Sequence, residues 1–303
     1  MKNIAYITLL SIFIIGCANE NKKGTIAEAE DKIIPIAESD KQLNITILLD
    51  LSDRIEPSKY PTKPEHFERD IEVVNFLTDL FKSEMKNKGA FNAKGKMKVI
   101  FNPRPKDDEI NKIASELSVD LSTKISKEKK AIFDNLKSKF TDNLERIYSK
   151  TIKTKSYPGS DIWRFFKNDV VDFAITDDAN YRNILVVLTD GYLYHQDSQD
   201  NIDNRSAYLL PQNVKSNGFR NNNWKEKFEK GDFGYISTRQ DLNNLEILVL
   251  EISPEPSAKD DEDVIKAYLN KWFKEMNVSK FELYNSDLPE YTKTRIEKFI
   301  NNG

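Results

Sequence analysis

The chain is short of the groups from which many sites are built. Its 303 residues include one cysteine, Cys17, so no disulfide can close within the chain and no cysteine-ligated metal centre is available. Two histidines, His66 and His195, are too few for the imidazole-rich sites of most zinc hydrolases. The apolar stretch from Ile4 to Ile15 falls short of the roughly 20 residues that a membrane-spanning helix needs. No Gly-x-x-x-x-Gly-Lys loop occurs to cradle a phosphate. A net charge of -3, with both signs interspersed, gives no reason to expect nucleic acid or an anionic surface as partner.

What is present begins with Lys2 and the apolar stretch that follows it, a targeting segment rather than part of the fold. It ends in Ile14-Ile15-Gly16-Cys17, which resembles the lipobox of bacterial lipoproteins. The resemblance implies a signal peptide over 1–16, acylation of Cys17, and a mature chain without cysteine that is stabilised by its core alone. Ala18 follows. In that family's sorting rules the absence of Asp there implies the outer membrane of a Gram-negative cell, on its periplasmic or its surface face. An ordinary secretory signal with an incidental cysteine is the alternative. Residues 17–42 are polar and charged, as in a flexible tether.

From residue 43 to 302 apolar runs alternate with helical periodicity. Ile45, Ile47, Leu48 and Leu49, like Ile184 to Leu188, read as buried strands of a parallel sheet. Met97 to Phe101 and Leu245 to Ile252 read as further strands, with a short one around Phe281 to Tyr284. Phe67, Ile71, Val74, Leu77, Phe81 and Met85 repeat at helical spacing. Helices are also predicted over Asp108–Leu117, Lys127–Ser149, from Asp161, over Asp260–Met276 and over Leu288–Ile300. The fold predicted is α/β, doubly wound, with a mostly parallel central sheet and helices on both faces. Gly191 to Asn244, rich in Asn, Asp and Gly, reads as a long insertion whose aromatic islands either pack the loop or form binding anchors.

Two strand ends and one loop carry polar groups: Asp50-Leu51-Ser52-Asp53-Arg54, Thr189-Asp190-Gly191, and Gly159-Ser160-Asp161 between them. In open α/β sheets ligands bind beyond the carboxyl ends of the strands. The order Asp50-x-Ser52, Ser160, Asp190-Gly191 resembles the von Willebrand factor A domain, over nearly all of residues 43–302. The resemblance implies a metal-ion-dependent adhesion site in which Asp50, Ser52, Ser160 and Asp190 hold Mg²⁺, or Mn²⁺ or Ca²⁺, and an open position receives a carboxylate from a protein partner. Asp53, Arg54, Asp161 and Gly191 would stand around it. The unknown protein ligand would meet the metal rim and the 191–244 loop, with the membrane held through the lipid anchor and no nucleic acid involved.

Arg54 departs from the family pattern, which has serine there. A guanidinium cannot ligate a metal. Turned inward, it would oppose the ion or replace it by pairing with Asp50 or Asp190; turned outward, it would leave the site short of one hydroxyl. Taken singly, Asp50 and Ser52 could be a plain turn, Ser160 a helix cap, and Thr189-Asp190-Gly191 a common strand end. Two other functions are open: a metal-dependent, phosphatase-like hydrolase centred on Asp50, although its family reads Asp-x-Asp where this chain has Ser52, and a metal-free scaffold with Arg54 locking the rim.

Overall fold

The computed structural model describes residues 34–36, 39–255, 258 and 260–302. The expected signal peptide, Cys17 and the tether as far as residue 33 lie outside the described residues. One sheet of six strands organises the domain: β1 (Gln42–Leu49), β2 (Lys96–Phe101), β3 (Ser118–Asp120), β4 (Tyr181–Leu188), β8 (Glu246–Ile252) and β9 (Lys280–Asn285). Their order is β3-β2-β1-β4-β8-β9, and all pairs are parallel except β2 with β3. The fold is therefore doubly wound α/β, as the alternation of elements predicts.

Side chains that alternate along the strands feed two cores. Leu43, Ile45, Ile47 and Leu49 of β1, with Ile184, Val186 and Leu188 of β4, pack under α1 (His66–Asn92), α2 (Asp108–Ser115), α3 (Ser126–Thr154) and α9 (Pro289–Asn301). Leu48, Leu185, Val187, Ile247 and Val249 point the other way. They meet α4 (Ile162–Arg164), a π-helical turn (Phe165–Asp169), α5 (Val170–Ala174), α6 (Pro211–Ser216), α7 (Trp224–Lys230) and α8 (Asp261–Glu275). The register of β1 on β4 is pinned by a buried polar pair: Asn44 Nδ2 donates to Asn183 Oδ1 at 2.8 Å. A slip by one residue would strand both amides in the core, at about 1–3 kcal/mol each.

Three features differ from expectation. β3 is only three residues long, too short for a periodic signal, and it closes the edge against β2. The insertion is not one irregular loop: it holds α6, α7 and the small strands β5 (Asn201–Ile202), β6 (Arg205–Ser206) and β7 (Gly234–Tyr235). Most of its aromatic residues are core rather than surface anchors, with Phe219, Phe228 and Tyr235 buried against Tyr268 and Trp272 of α8. Finally, Ile34 is buried and its N–H donates to Ser83 Oγ at 3.0 Å, so the packed chain takes in residues ahead of β1. Among the described residues, no helix is long and apolar enough to cross a membrane.

Candidate functional site

The sheet order reverses between β1 and β4: from β1 the chain winds towards β2 and β3, from β4 towards β8 and β9. The carboxyl ends of two diverging strands leave a crevice, and Asp50 and Thr189-Asp190 stand at those ends. Asp50 is buried, and both its oxygens are used: Oδ1 accepts from the Ser52 N–H at 2.8 Å and Oδ2 from Thr189 Oγ1 at 2.8 Å. Asp190 Oδ1 accepts from the Tyr192 N–H at 2.9 Å. Burial, and next the Asp50 charge, push the Asp190 carboxyl up to about 7. Gly191 turns the chain at φ +95°, where a Cβ would lie 2.5 Å from Ile265 Cγ2, so only glycine fits.

Arg54 takes the inward course. It belongs to a short 3₁₀ turn (Asp53–Ile55) and is almost fully buried. Its Nη2 donates to Asp70 Oδ2 at 2.6 Å and to the Leu188 carbonyl at 3.3 Å, and its Nε donates to the Asp50 carbonyl at 3.2 Å. The nearest Asp50 carboxylate oxygen is 3.9 Å away. Tyr148 of α3 donates a second hydrogen bond to Asp70 Oδ2, at 2.8 Å. Burial disfavours the guanidinium charge, but Asp70, then Asp50, Tyr148 and Asp190, more than restore it. Burial likewise raises the Asp70 carboxyl, with Arg54 opposing the rise. Asp70 is therefore the main counter-charge, not Asp50 or Asp190.

The third loop is held by main chain. Leu51 bridges to Gly159 and Ser160 to Tyr194, with the Ser160 N–H donating to the Tyr194 carbonyl at 3.3 Å. Ser160 is buried and its Oγ has no hydrogen-bonding partner. Asp161, not Ser160, caps α4: its Oδ1 accepts from the Arg164 N–H at 3.3 Å. Its other oxygen stands 3.1 Å from Arg164 Nε and 3.3 Å from His195 Nδ1 but makes no hydrogen bond. Asp53 turns outward to an ion pair with Lys59.

Ser52, Arg54, Ser160 and Asp190 all line one cleft of about 870 Å³, whereas Asp50 is buried and does not line it. The expected loops thus converge. Tyr60, Tyr157, Tyr192 and Tyr194 also line it, and so do His66 and Arg69 of α1. Arg69 Nε donates to Glu251 Oε2 at 2.8 Å, and its Nη2 lies 3.0 Å from His66 Nδ1. Burial and the two arginines push His66 down to about 3, so its imidazole is neutral. Sequence reading missed Asp70 and Tyr148. The available signal was position: Asp70 falls in register with Val74, Leu77 and Phe81 on the apolar stripe of α1, and Tyr148 with Phe140 and Leu144 on that of α3.

Whether a cation fits turns on these groups. Among the described residues no cluster of three or more His, Cys, Asp or Glu is arranged for a metal ion; the expected set has two carboxylates and two hydroxyls. Hard oxygens and an orphaned, buried Ser160 Oγ are donors of the kind Mg²⁺ takes, and a cation would offset the burial and the Asp50 charge that raise Asp190. Arg54 supplies one positive charge nearby, but its contact is with Asp70. The donors are thus of the right type for Mg²⁺, although both Asp50 carboxylate oxygens already accept hydrogen bonds.

No family model matches the chain, and no curated protein matches it. Among solved structures, the chain is similar to the pilus adhesin SpaC from Lactobacillus rhamnosus GG. The match is 11% identical, covers 88% of this chain and 31% of that one, and has a TM-score of 0.40. The same adhesin in an open conformation matches at 10% identity over the same shares, with a TM-score of 0.37. This chain spans about a third of the adhesin's length.

Proposed function

We propose that this protein is a lipid-anchored binding module of the von Willebrand factor A type, held by Cys17 at the outer membrane of a Gram-negative cell. Its cleft at the carboxyl ends of β1 and β4 takes a protein partner. The observation that carries the reading is the convergence of Ser52, Ser160 and Asp190 on one cleft in which Ser160 Oγ, though buried, has no partner. Ser52, Ser160 and Asp190, backed by Asp50, would hold a divalent cation, with Mg²⁺ favoured over Mn²⁺ or Ca²⁺. The ion would supply an open position for a partner's carboxylate. This chain's own part is to aim the oxygens: the Ser52 N–H and Thr189 Oγ1 fix the Asp50 carboxylate, and the Tyr192 N–H fixes that of Asp190. Tyr192 and Tyr194 offer rigid aromatic contact area at the cleft wall.

The test is crosslinking on intact cells followed by pull-down. A partner captured by the parent, and lost in both Ser160→Ala and Asp190→Asn, supports the reading. Capture that is indifferent to both substitutions overturns it.

One observation favours a second reading. Arg54 lines the cleft, and its Nη1 is buried without a partner, so the guanidinium could itself be the rim's cation in a metal-free scaffold. Replacing Arg54 alone would leave Asp70 uncompensated, so the discriminating variant is Arg54→Ser with Asp70→Asn. Mg²⁺ binding created by that pair, and absent from the parent, selects the scaffold. The hydrolase reading has no general acid at Ser52, and no observed geometry favours it.

A further inference from the structure

The pole opposite the cleft carries a patch that the net charge conceals. The parallel strands begin there, and α1 ends there. Gly89, at φ +70°, breaks the end of α1 and turns Ala90-Phe91-Asn92 outward, leaving the Phe91 ring 86% exposed. Four residues after Phe91, the Gly95 carbonyl accepts from the Leu121 N–H at 3.0 Å. This contact brings the turn after β3 alongside and presents Ile125, 66% exposed, ahead of α3. Lys86 and Lys94 flank Phe91 in sequence, and Lys124 and Lys127 flank Ile125; all four are exposed. Among the described residues none of these four lysines is in an ion pair. Asp40 and Asp177 are exposed carboxylates at this end of the domain, and the others there are engaged. Asp120 pairs with Lys96, Glu128 accepts from the Ile125 N–H, and Asp178 turns back onto the Asn180 N–H ahead of β4.

Two exposed apolar side chains, each flanked in sequence by unpaired lysines and carried on the two segments that the Leu121–Gly95 hydrogen bond joins, form a surface that single scattered hydrophobic residues do not. We propose that this pole docks on an anionic phospholipid surface, with Phe91 and Ile125 entering the boundary between headgroups and acyl chains and the lysines taking the phosphates. Two observations select lipid as the occupant. The charge is complementary to a phosphate layer, and the chain joins the domain at this end, where Ile34 is tied to Ser83 of α1 and the Lys88 ammonium donates to the Ser39 carbonyl at 2.6 Å. Docked this way, the domain holds its cleft on the side away from the membrane. The docking deepens the anchored reading, but the patch itself does not need the acyl chains.

The test is therefore made without them. The unlipidated chain from Ala18 to Gly303 is sedimented with phosphatidylcholine vesicles that contain or lack phosphatidylglycerol. Binding is expected only with phosphatidylglycerol and should weaken as salt rises. Lys94→Ala should weaken it about fivefold, and Phe91→Ser with Ile125→Ser at least about tenfold. Lys230→Ala, on α7 outside the patch, should leave it unchanged. These side chains are exposed, so their variants should melt like the parent. No sedimentation with phosphatidylglycerol vesicles, or binding indifferent to Phe91→Ser with Ile125→Ser, overturns the proposal. Acylation of Cys17 is read separately, by mass spectrometry of the membrane fraction. A chain that is acylated yet fails on vesicles overturns the patch and leaves the anchor standing.

Discussion

Removing the Arg54 side chain should be among the most damaging single changes in the domain, and the damage should depend on pH. Arg54 and Asp70 are both almost fully buried and meet at 2.6 Å. Breaking a buried pair from one side typically costs about 3–5 kcal/mol, because the remaining charge has lost its compensation. That is a large part of the about 5–15 kcal/mol that holds a domain folded. In Arg54→Ala, Asp70 keeps only the Tyr148 hydroxyl as a donor, and burial then raises its carboxyl with nothing cationic to oppose it. An acid raised in the folded state holds its proton more tightly there than when unfolded. The folded state is therefore favoured at low pH, and stability is lost as pH rises through the folded value. Urea unfolding of Arg54→Ala should show a deficit that grows from mildly acidic to neutral pH. Arg54→Met with Asp70→Asn, which removes both charges of the pair and keeps an acceptor for Tyr148, should return to within about 2 kcal/mol of the parent. A single-variant cost below about 1 kcal/mol, or a deficit flat with pH, would refute the claim that Asp70 is the counter-charge of Arg54.

Asp190, raised to about 7 by burial and by Asp50, makes the protein less stable as pH climbs from the ordinary aspartate range through 7. Asp190→Asn should stabilise the ion-free protein by about 1–2 kcal/mol at neutral pH and flatten that slope in thermal melts. Glu84 is pushed up to about 7 by burial while it accepts from the Leu43 N–H at 2.9 Å. Glu84→Gln keeps that acceptor and removes the titration, so its melting temperature at neutral pH should equal or exceed the parent's. Gly191→Ala, with its Cβ 2.5 Å from Ile265 Cγ2 and the backbone in left-handed space, should cost about 1–3 kcal/mol in urea unfolding.

The fold was legible because buried strands write themselves as apolar runs and the helices as stripes. Ile45 to Leu49 and Ile184 to Leu188 are strands of one parallel sheet as read, and they pair directly, β1 on β4. β3 was not legible, since three residues on an antiparallel edge leave no pattern. The role of the insertion was half legible. Tyr192 and Tyr194 do line the cleft, whereas Phe219 and Tyr235 are core, packed against Tyr268 and Trp272 of α8. The candidate site was read at one level only. Strand ends announce Asp50, Ser52 and Asp190, and the loop announces Ser160. The direction taken by Arg54 depends on Asp70 and Tyr148, which come from helices distant in sequence. A charged residue in line with an apolar stripe is the sign to look for in such a chain.

The central claim is that the oxygens gathered at the carboxyl ends of β1 and β4 form a cation site, and calorimetric titration of Mg²⁺ into the Ala18–Gly303 chain tests it most directly. The account predicts saturable binding of one ion, with release of protons near neutral pH as Asp190 gives up its own, and loss of that binding in Ser160→Ala and in Asp190→Asn. No heat and no proton release in the parent, with binding appearing only in Arg54→Ser with Asp70→Asn, would contradict it.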